Sequence, residues 1–501
     1  MHQHTSNTLK VRSVGIDTYR ENIIYMRADC HICQSEGFTA LTRVVVHYNG
    51  RSIIATLNVV HWGLLEDEEA GLSMEAIRSL EVKNGDYIHI SHMKHIYSLS
   101  NVRAKMYHNE LPDQAFNEII ADVVAGKYSN IELAAFISVC SGNNLSLNEI
   151  TGLTKAMINS GQKITWSDPI VLDKHCIGGL PGNRTTPIVV SIVSALGLTI
   201  PKTSSRAITS PAGTADAMET MAPVNLGLDQ IKQVVEKENG CIVWGGAVRL
   251  SPADDILISI ERSLDIDSEG QMIASVLSKK AAAGATHVLI DIPVGATAKV
   301  RSPSEAKQLQ FHFETVGKAI GLQVRVILTD GSQPIGLGIG PSLEAMDVLS
   351  VLRNEDGAPG DLKEKSILLA AQLLDLSGKY SLETGMQMAK EVLDTGKAWT
   401  KFKAICERQG GFREPQYAIY KQDVLSEREG TVQAIDNRKL ALIAKLAGAP
   451  RSPSAGILFF SPLGKKVSKG EVLFTVFAEA KGELEYAIDY MKSNNNVIDI
   501  N

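Results

Sequence analysis

The residues best suited to chemistry lie between Asp173 and Glu219, in DKHCIGGLPGNRTTPIVVSIVSALGLTIPKTSSRAITSPAGTADAME. Two loops rich in glycine and hydroxyl groups, each after a short apolar run and each leading into a helix-like segment, supply many backbone and side-chain donors. Such a set holds an anion, because amide groups at a helix start and a nearby ammonium both favour negative charge. Neither loop spells GxxxxGKS/T or GxGxxG, so neither a nucleoside-triphosphate cradle nor a dinucleotide fingerprint is written here. The anion is expected to serve another reaction.

Loops of this kind need a sheet to hold them. The runs Ile170 to Leu172, His287 to Ile292 and Val324 to Leu328 are rich in β-branched residues and are separated by helical stretches. This alternation predicts a mainly parallel sheet with helices on its faces. Ligands in such folds sit outside the carboxyl ends of the strands, where both loops would fall. Upstream, from about Tyr97 to Ser160, apolar residues recur at three- and four-residue spacing, with a stop at Gly126 and a start at Ser129-Asn130. That pattern predicts a helical bundle.

Residues up to about Met93 read as a separate β-rich, barrel-like unit. VVVHYNG followed by RSIIATLNVV is a strand, a turn and a strand, and Asn84-Gly85 is a further turn signal. After about Lys421 the composition shifts to an α+β module whose Lys465, Lys466 and Lys469 suit either a solvated turn or a swinging-arm attachment site. The expected fold class is therefore α/β with a helical domain. Its expected domains are 1–93 (β-rich), 94–165 (helical, with later crossings), 166–420 (α/β, phosphate- and substrate-binding) and 421–501 (α+β).

The bulk properties narrow the partners. A chain of 501 residues exceeds one core, and 44% hydrophobic with 21% charged residues is ordinary for a globular protein. A net charge of -6, with no basic block interleaved with aromatics, gives no footprint for nucleic acid. The polar start MHQHTSNTLKVRS lacks the apolar core of a secretion signal. The longest apolar stretch, Ile188 to Ile200, is interrupted by Ser191, Ser194 and Thr199 and is too short to span a bilayer. A cytoplasmic enzyme with a small ligand and no membrane partner is expected. Six cysteines are too few for a disulfide scaffold. Cys30 and Cys33 form a CxxC around His31, but no second pair follows at zinc-site spacing, so they read as two thiols near a turn.

At DKHCIGG, at SSRAITSPAGTADAME and at ASVLSKK, in that order, the chain resembles the pyrimidine-nucleoside phosphorylase family. The closing SPLGKKVSKGEVL resembles that family's C-terminal domain. The added N-terminal part, KTSSRAITSPAGTAD, PADD and IDSEGQ resemble its longer branch of type 2 thymidine phosphorylases and AMP (nucleoside monophosphate) phosphorylases. The resemblance implies that inorganic phosphate displaces a base from a nucleoside or nucleotide, and that no metal or organic cofactor is used. It also implies a homodimer or larger assembly. A helical and an α/β domain would close over the cleft about a hinge near Gly161 to Asp168.

The resemblance carries phosphate contacts onto Lys174, Cys176, Gly179, Thr186, Ser204 and Thr214, with Lys174 and His175 also taking part in catalysis. As a loop lysine, Lys174 would supply charge rather than packing. Substrate contacts carry over to Gly179, Ser205, Arg206, Ala207, Ile208, Thr209, Ser210, Thr214, Ser275, Lys279 and Lys299, and a proton-donating acid to Asp267. Singly, such residues also cap helices, punctuate loops or form surface ion pairs; Arg206 and Lys299 suit a second anion such as a 5'-phosphate, or ordinary ion pairs.

Two positions depart from the family's pattern. Cys176 stands where serine is usual, and a thiol is the weaker donor. Asp254 stands where thymidine phosphorylases usually carry an arginine, and an ionised carboxylate cannot donate to a pyrimidine carbonyl. Two other functions fit the same residues: a metal-dependent phosphoribosyltransferase of the anthranilate type, and a non-catalytic nucleotide-binding protein.

Overall fold

The computed structural model describes residues 7–19, 21–207, 210–248, 250–266, 268–494 and 496–501. Two compact units emerge, one of residues 1–107 and 121–136, the other of residues 108–120 and 137–501.

The first unit is built on a closed six-stranded barrel. Its strands are β1 (Thr8–Ser13), β2 (Ile23–Arg27), β3 (Arg43–Tyr48), β4 (Arg51–Val60), β5 (Glu69–Leu72) and β6 (Tyr87–His92), in the order β1-β5-β2-β4-β3-β6. The expected hairpin is β3–β4, turned by Asn49 and Gly50, which both take positive φ. The Asn84-Gly85 turn instead joins a helix to β6. Closure leaves no free edge. Leu9, Ile24, Met26, Val44, Val46, Leu57, Ile88 and Ile90 fill the interior together with the helices α1 (His31–Glu36) and α2 (Met74–Leu80). The helix α3 (Leu99–Met106) follows.

The helices α4 (Asp113–Val124), α5 (Asn130–Cys140) and α6 (Leu147–Asn159) run before the sheet begins, and α7 (Thr186–Ala195) follows its first strand, β7 (Leu172–Cys176). In the second unit α6 starts on a reciprocal cap. Ser146 accepts from the Glu149 amide while Glu149 accepts from the Ser146 amide. The sheet continues through β8 (Ile200–Ser204), β9 (Gly240–Trp244), β10 (His287–Val294) and β11 (Gln323–Asp330). β11, β10 and β7 pair in parallel, as do β8 and β9, and a parallel bridge from Val171 to Thr199 joins the two sets. The crossovers carry α8 (Thr214–Glu219), α9 (Leu228–Glu238), α10 (Pro252–Leu264), α11 (Glu269–Ala282) and α12 (Pro303–Ala319). A parallel sheet needs such crossovers, and they place every strand's carboxyl end on one edge.

After β12 (Gly338–Ile339) come α13 (Pro341–Arg353), α14 (Gly360–Leu376), α15 (Leu382–Asp394) and α16 (Lys397–Gln409), which pack their apolar faces into one large core with α7. The C-terminal part has β13 (Tyr420–Leu425), β14 (Gly430–Ile435), β15 (Gly456–Phe459), β16 (Lys466–Val467), β17 (Val472–Ala478) and β18 (Ile498–Ile500). They form sheets ordered β12-β15-β17-β13 and β16-β14-β18, covered by α17 (Asn437–Leu446) and α18 (Lys481–Ser493). Lys465 pairs with Glu471 at 2.8 Å, which fits the turn reading of that lysine cluster. Among the described residues no helix is long and apolar enough to cross a membrane.

Phe402 on α16 is fully buried against the α7 side of the core. Phe402→Ala is expected to cost about 3–5 kcal/mol, since the cavity adds to the lost transfer energy; a denaturant midpoint unchanged from the native protein would contradict this packing.

Candidate active site

Lys174 and Cys176 belong to the end of β7 rather than to the loop that follows it, and Lys174 is only 1% exposed. A strand tolerates these polar residues because the register sets Cys176 opposite Asp291 and Lys174 opposite Leu289 on β10, so both share a face with Asp291. Lys174 is therefore packed as well as charged. Its ammonium donates to the Thr185 hydroxyl at 2.8 Å, beside the N-terminus of α7. Burial lowers its pKa, while the charge of Asp291 works the other way.

Two buried aspartates organise the surrounding lysines. Asp173 lies 3.1 Å from Lys202 and 2.8 Å from Lys280, and Asp291 lies 3.1 Å from Lys365 while accepting from Thr329 at 2.6 Å. Burial alone would raise both carboxyl groups; the lysines more than offset it, and both aspartates sit below their ordinary range. A third pair joins the loops: Arg184 contacts Glu344 at 2.6 Å and also donates to the Thr214 hydroxyl at 2.6 Å and the Ala212 carbonyl at 3.1 Å. Burial lifts Glu344 to about 7 against the pull of Arg184.

Glycines let each loop lie against neighbouring backbone. A Cβ on Gly179, whose φ is +80°, would lie 2.3 Å from the Lys299 amide nitrogen. One on Gly213 would meet the Ser205 oxygen and the Ala207 nitrogen at 2.6 Å each. Asp216 accepts from the Ala207 and Gly213 amides at 2.6 and 2.9 Å, which ties the second loop to the start of α8. Asn183 donates to the Cys176 sulfur at 3.3 Å, so the thiol is held as an acceptor. Ser204 Oγ and Asn183 Oδ1 are buried with no partner, the condition of polar atoms that await a ligand or water.

His175, in the DKHC segment, is partly buried. Burial first, then the charges of Lys280, Lys202, Lys279 and Lys174, hold its pKa well below 6.5, so the ring is neutral. Lys279 and Ser275 do share one face of α11, with the ammonium 3.0 Å from the hydroxyl. Asp254, at the start of α10 and 2% exposed, takes the same ammonium at 2.8 Å. The carboxylate that cannot donate to a base thus orients a lysine that can.

Arg206 adopts the ion-pair alternative. It grips Glu219 through both nitrogens at 2.5 and 2.9 Å, touches Asp216 at 3.3 Å and lies 5.0 Å from the centre of the Trp244 ring. Arg206 and Ala207 line a cleft of about 840 Å³ that also includes Arg413, Lys445 and Arg451. Ser205 and Ser210 lie on the same loop, and Ser210 donates to the Ala212 carbonyl at 3.0 Å. Thr186 opens α7 and is buried. Ile208, Thr209 and Asp267 lie outside the described residues. Of the acids flanking Asp267, Glu269 bonds the His312 ring at 2.5 Å and Asp265 closes α10 in a left-handed conformation. The segment from Gly161 to Asp168 is pinned to the end of α11, since the Ile164 amide and Trp166 Nε1 donate to the Ala282 and Ala283 carbonyls at 2.8 Å each.

Sequence reasoning passed over Asp173, Arg184, Lys202, Lys280, Asp291, Glu344 and Lys365. A signal was present for one of them: Asp291 in HVLIDIPV is a single acid inside a largely apolar run, which a buried chain retains only with a partner.

Comparison with known proteins places this geometry in a lineage. Residues 101–161 match the helical bundle domain of a glycosyl transferase family, residues 168–399 its a/b domain, and residues 431–498 the pyrimidine nucleoside phosphorylase C-terminal domain. A protein of Hahella chejuensis provisionally named thymidine phosphorylase is 54% identical over all of this chain and 99% of its own. A relative from Legionella pneumophila (strain Corby), named likewise, is 56% identical over 99% of this chain and 96% of its own. Among solved structures, anthranilate phosphoribosyltransferase from Thermus thermophilus superposes with a TM-score of 0.52 at 18% identity, covering 62% of this chain and 98% of that one, a likeness of fold alone. By near-full-length identity above one half, the chain belongs to the thymidine and pyrimidine-nucleoside phosphorylase family, a branch of the pentose-transferring glycosyl transferases.

Proposed function

We propose that the protein catalyses phosphorolysis of an N-glycosidic bond. Inorganic phosphate attacks the anomeric carbon of a nucleoside or nucleoside 5'-monophosphate, the bond to the base breaks, and a free base leaves with a pentose 1-phosphate, or ribose 1,5-bisphosphate from a ribonucleotide. One observation carries this reading. Lys174 and Lys365 are buried with Asp291 on one face of the sheet, and Lys202 and Lys280 with Asp173 on the other, while Arg184 and Glu344 balance each other. Each cluster carries one positive charge in excess when all its groups are ionised, and on the Lys174 face that excess sits beside the N-terminus of α7. Buried cations without counter-charge are costly, so a bound phosphate is favoured.

The transition state resembles an oxocarbenium ion with negative charge on the departing base, so each end of the substrate needs its own partner. Lys174, with hydroxyl and amide donors from Cys176, Gly179, Thr186, Ser204 and Thr214, receives the phosphate. The neutral His175 ring donates to the base, Ser275 and Lys279 hold it, and Asp267 protonates a purine as it leaves. Lys299 and the Ser205 to Ser210 loop serve the sugar side. No metal or organic cofactor enters, and the enzyme works as a cytoplasmic homodimer or larger assembly.

For substrate, nucleoside 5'-monophosphates are accepted at least as well as nucleosides. Asp254, held to Lys279, supports this, because the arginine typical of thymidine phosphorylases is missing there. The relatives' names favour thymidine as the second reading. The fold shared with a phosphoribosyltransferase leaves a metal-dependent reaction as a third, in which activity would vanish on chelation.

Phosphate-dependent base release from thymidine, uridine, AMP, CMP and UMP, assayed side by side with and without chelator, is expected to show nucleotide turnover that survives chelation; thymidine turnover with none on nucleotides would overturn the substrate assignment. Because Lys174 is packed, Lys174→Met is the informative variant. It keeps the volume, and kcat/KM for phosphate should fall at least a hundredfold, about 3 kcal/mol of transition-state binding, with folding preserved. Unchanged kcat/KM would remove the lysine from the phosphate site. His175 adds a dependence on pH. Its folded pKa is depressed, so above 6.5 it is neutral in both states and without effect on stability, while below 6.5 the unfolded ring gains a proton that the folded one refuses. Stability should fall less between pH 7 and 5 in His175→Gln than in the native protein, and parallel melting curves would contradict a ring held neutral by the fold.

A further inference from the structure

Cys30 and Cys33 stand outside everything the phosphate site uses. They lie in the first unit, where the chain leaves β2 and enters α1, and both sulfurs are packed into the barrel core with Ile32 and Phe38. Cys30 is the N-cap of α1, and its sulfur accepts from the Cys33 amide at 3.2 Å. The Cys30 sulfur thus points at the first turn that carries Cys33, and both side chains belong to one buried cluster. The spacing is one that a disulfide bridges with little movement of the backbone. Both residues are nearly buried, 8% exposed for Cys30 and 6% for Cys33, which favours a small oxidant over a protein thiol. Cys140, Cys241 and Cys406 are buried, and Cys176 accepts from Asn183.

We propose that Cys30 and Cys33 are a redox-active dithiol that a peroxide converts reversibly to an intramolecular disulfide. The Cys30 sulfur attacks one peroxide oxygen; an S–O bond forms, the O–O bond breaks, and the departing hydroxide takes a proton to become water. Cys33 then attacks the Cys30 sulfenic acid; the S–S bond forms, the S–O bond breaks, and a second water leaves. The two sulfurs give up two electrons and two protons, and hydrogen peroxide takes them up as two waters. Cys30 is the attacking sulfur because it accepts the Cys33 amide at 3.2 Å, a contact that favours its thiolate; the Cys33 side chain and amide lower its pKa against burial and the nearby Asp29 charge, while that of Cys33 is raised. Asp29 is itself paired with Arg27 at 2.6 Å, which limits its opposition. Attack by the thiolate and resolution by a neighbouring thiol is the usual course of such chemistry.

Residues 28–43 form one tryptic peptide that carries both sulfurs and no other cysteine. The full chain would be treated with hydrogen peroxide, quenched in acid, unfolded, alkylated with iodoacetamide and digested. The peptide is expected to lose both adducts together and to be two hydrogens lighter, and dithiothreitol should restore both. In Cys33→Ser, whose folding is checked by melting, dimedone should label Cys30, whereas in Cys30→Ser it should leave Cys33 unlabelled. Loss of one adduct at a time, oxidation that dithiothreitol does not reverse, or full alkylation of residues 28–43 while Cys176 is oxidised would each overturn the proposal. The wild-type mapping decides alone if either variant fails to fold.

Discussion

Burying positive charge is the constraint on which the catalytic unit depends. An ammonium moved from water into a protein interior loses several kcal/mol of solvation unless an acid and hydrogen bonds replace it. Asp173 on β7 and Asp291 on β10 are that replacement, and they sit three residues apart along paired strands, at the edge where the loops begin. Each draws lysines from distant segments: Lys202 from β8 and Lys280 from α11 to the first, Lys365 from α14 to the second. The sheet and its helices are thus locked at the point where a ligand would enter. Removing either aspartate would leave unpaired cations, so these residues hold the fold and set the field at once.

The loops obey a related rule. They can lie close to neighbouring backbone only where a side chain is missing, as at Gly179 against Lys299, Gly182 against Ile335 and Gly213 against residues 205–207 of its own loop. Arg184 then stitches both loops to α13 through Thr214, Ala212 and Glu344. Rigid positioning of donors matters because electrostatic stabilisation is effective only when the groups need not reorganise during reaction.

Much of this fold was legible in the sequence, for identifiable reasons. Strands such as Val324 to Leu328 announce themselves by β-branched residues, and the β3–β4 hairpin by its Asn49-Gly50 turn. Local signals failed where tertiary partners override propensity. IPKTS contains a proline, a lysine and two hydroxyls, yet it is the strand β8 because Lys202 finds Asp173. For the same reason Lys174 to Cys176 read as loop and proved to be strand. The motif residues Lys174, Ser275 and Lys279 were visible because they are local; Arg184 with Glu344, or Asp173 with Lys280, are separated by more than a hundred residues, and nothing in a single sequence pairs them.

The same economy of charge bears on what the site can hold. Lys280 and Lys174 both have lowered proton affinity, chiefly from burial, and both regain it when an anion arrives nearby. Phosphate binding in such a site draws protons onto the lysines, so the empty enzyme need not keep all of its cations charged. The same reasoning applies at Asp254: a carboxylate 2.8 Å from Lys279 fixes the ammonium beside Ser275. A guanidinium at that position would repel Lys279, whereas the aspartate orients it. An aspartate at 254 therefore acts through the lysine it holds.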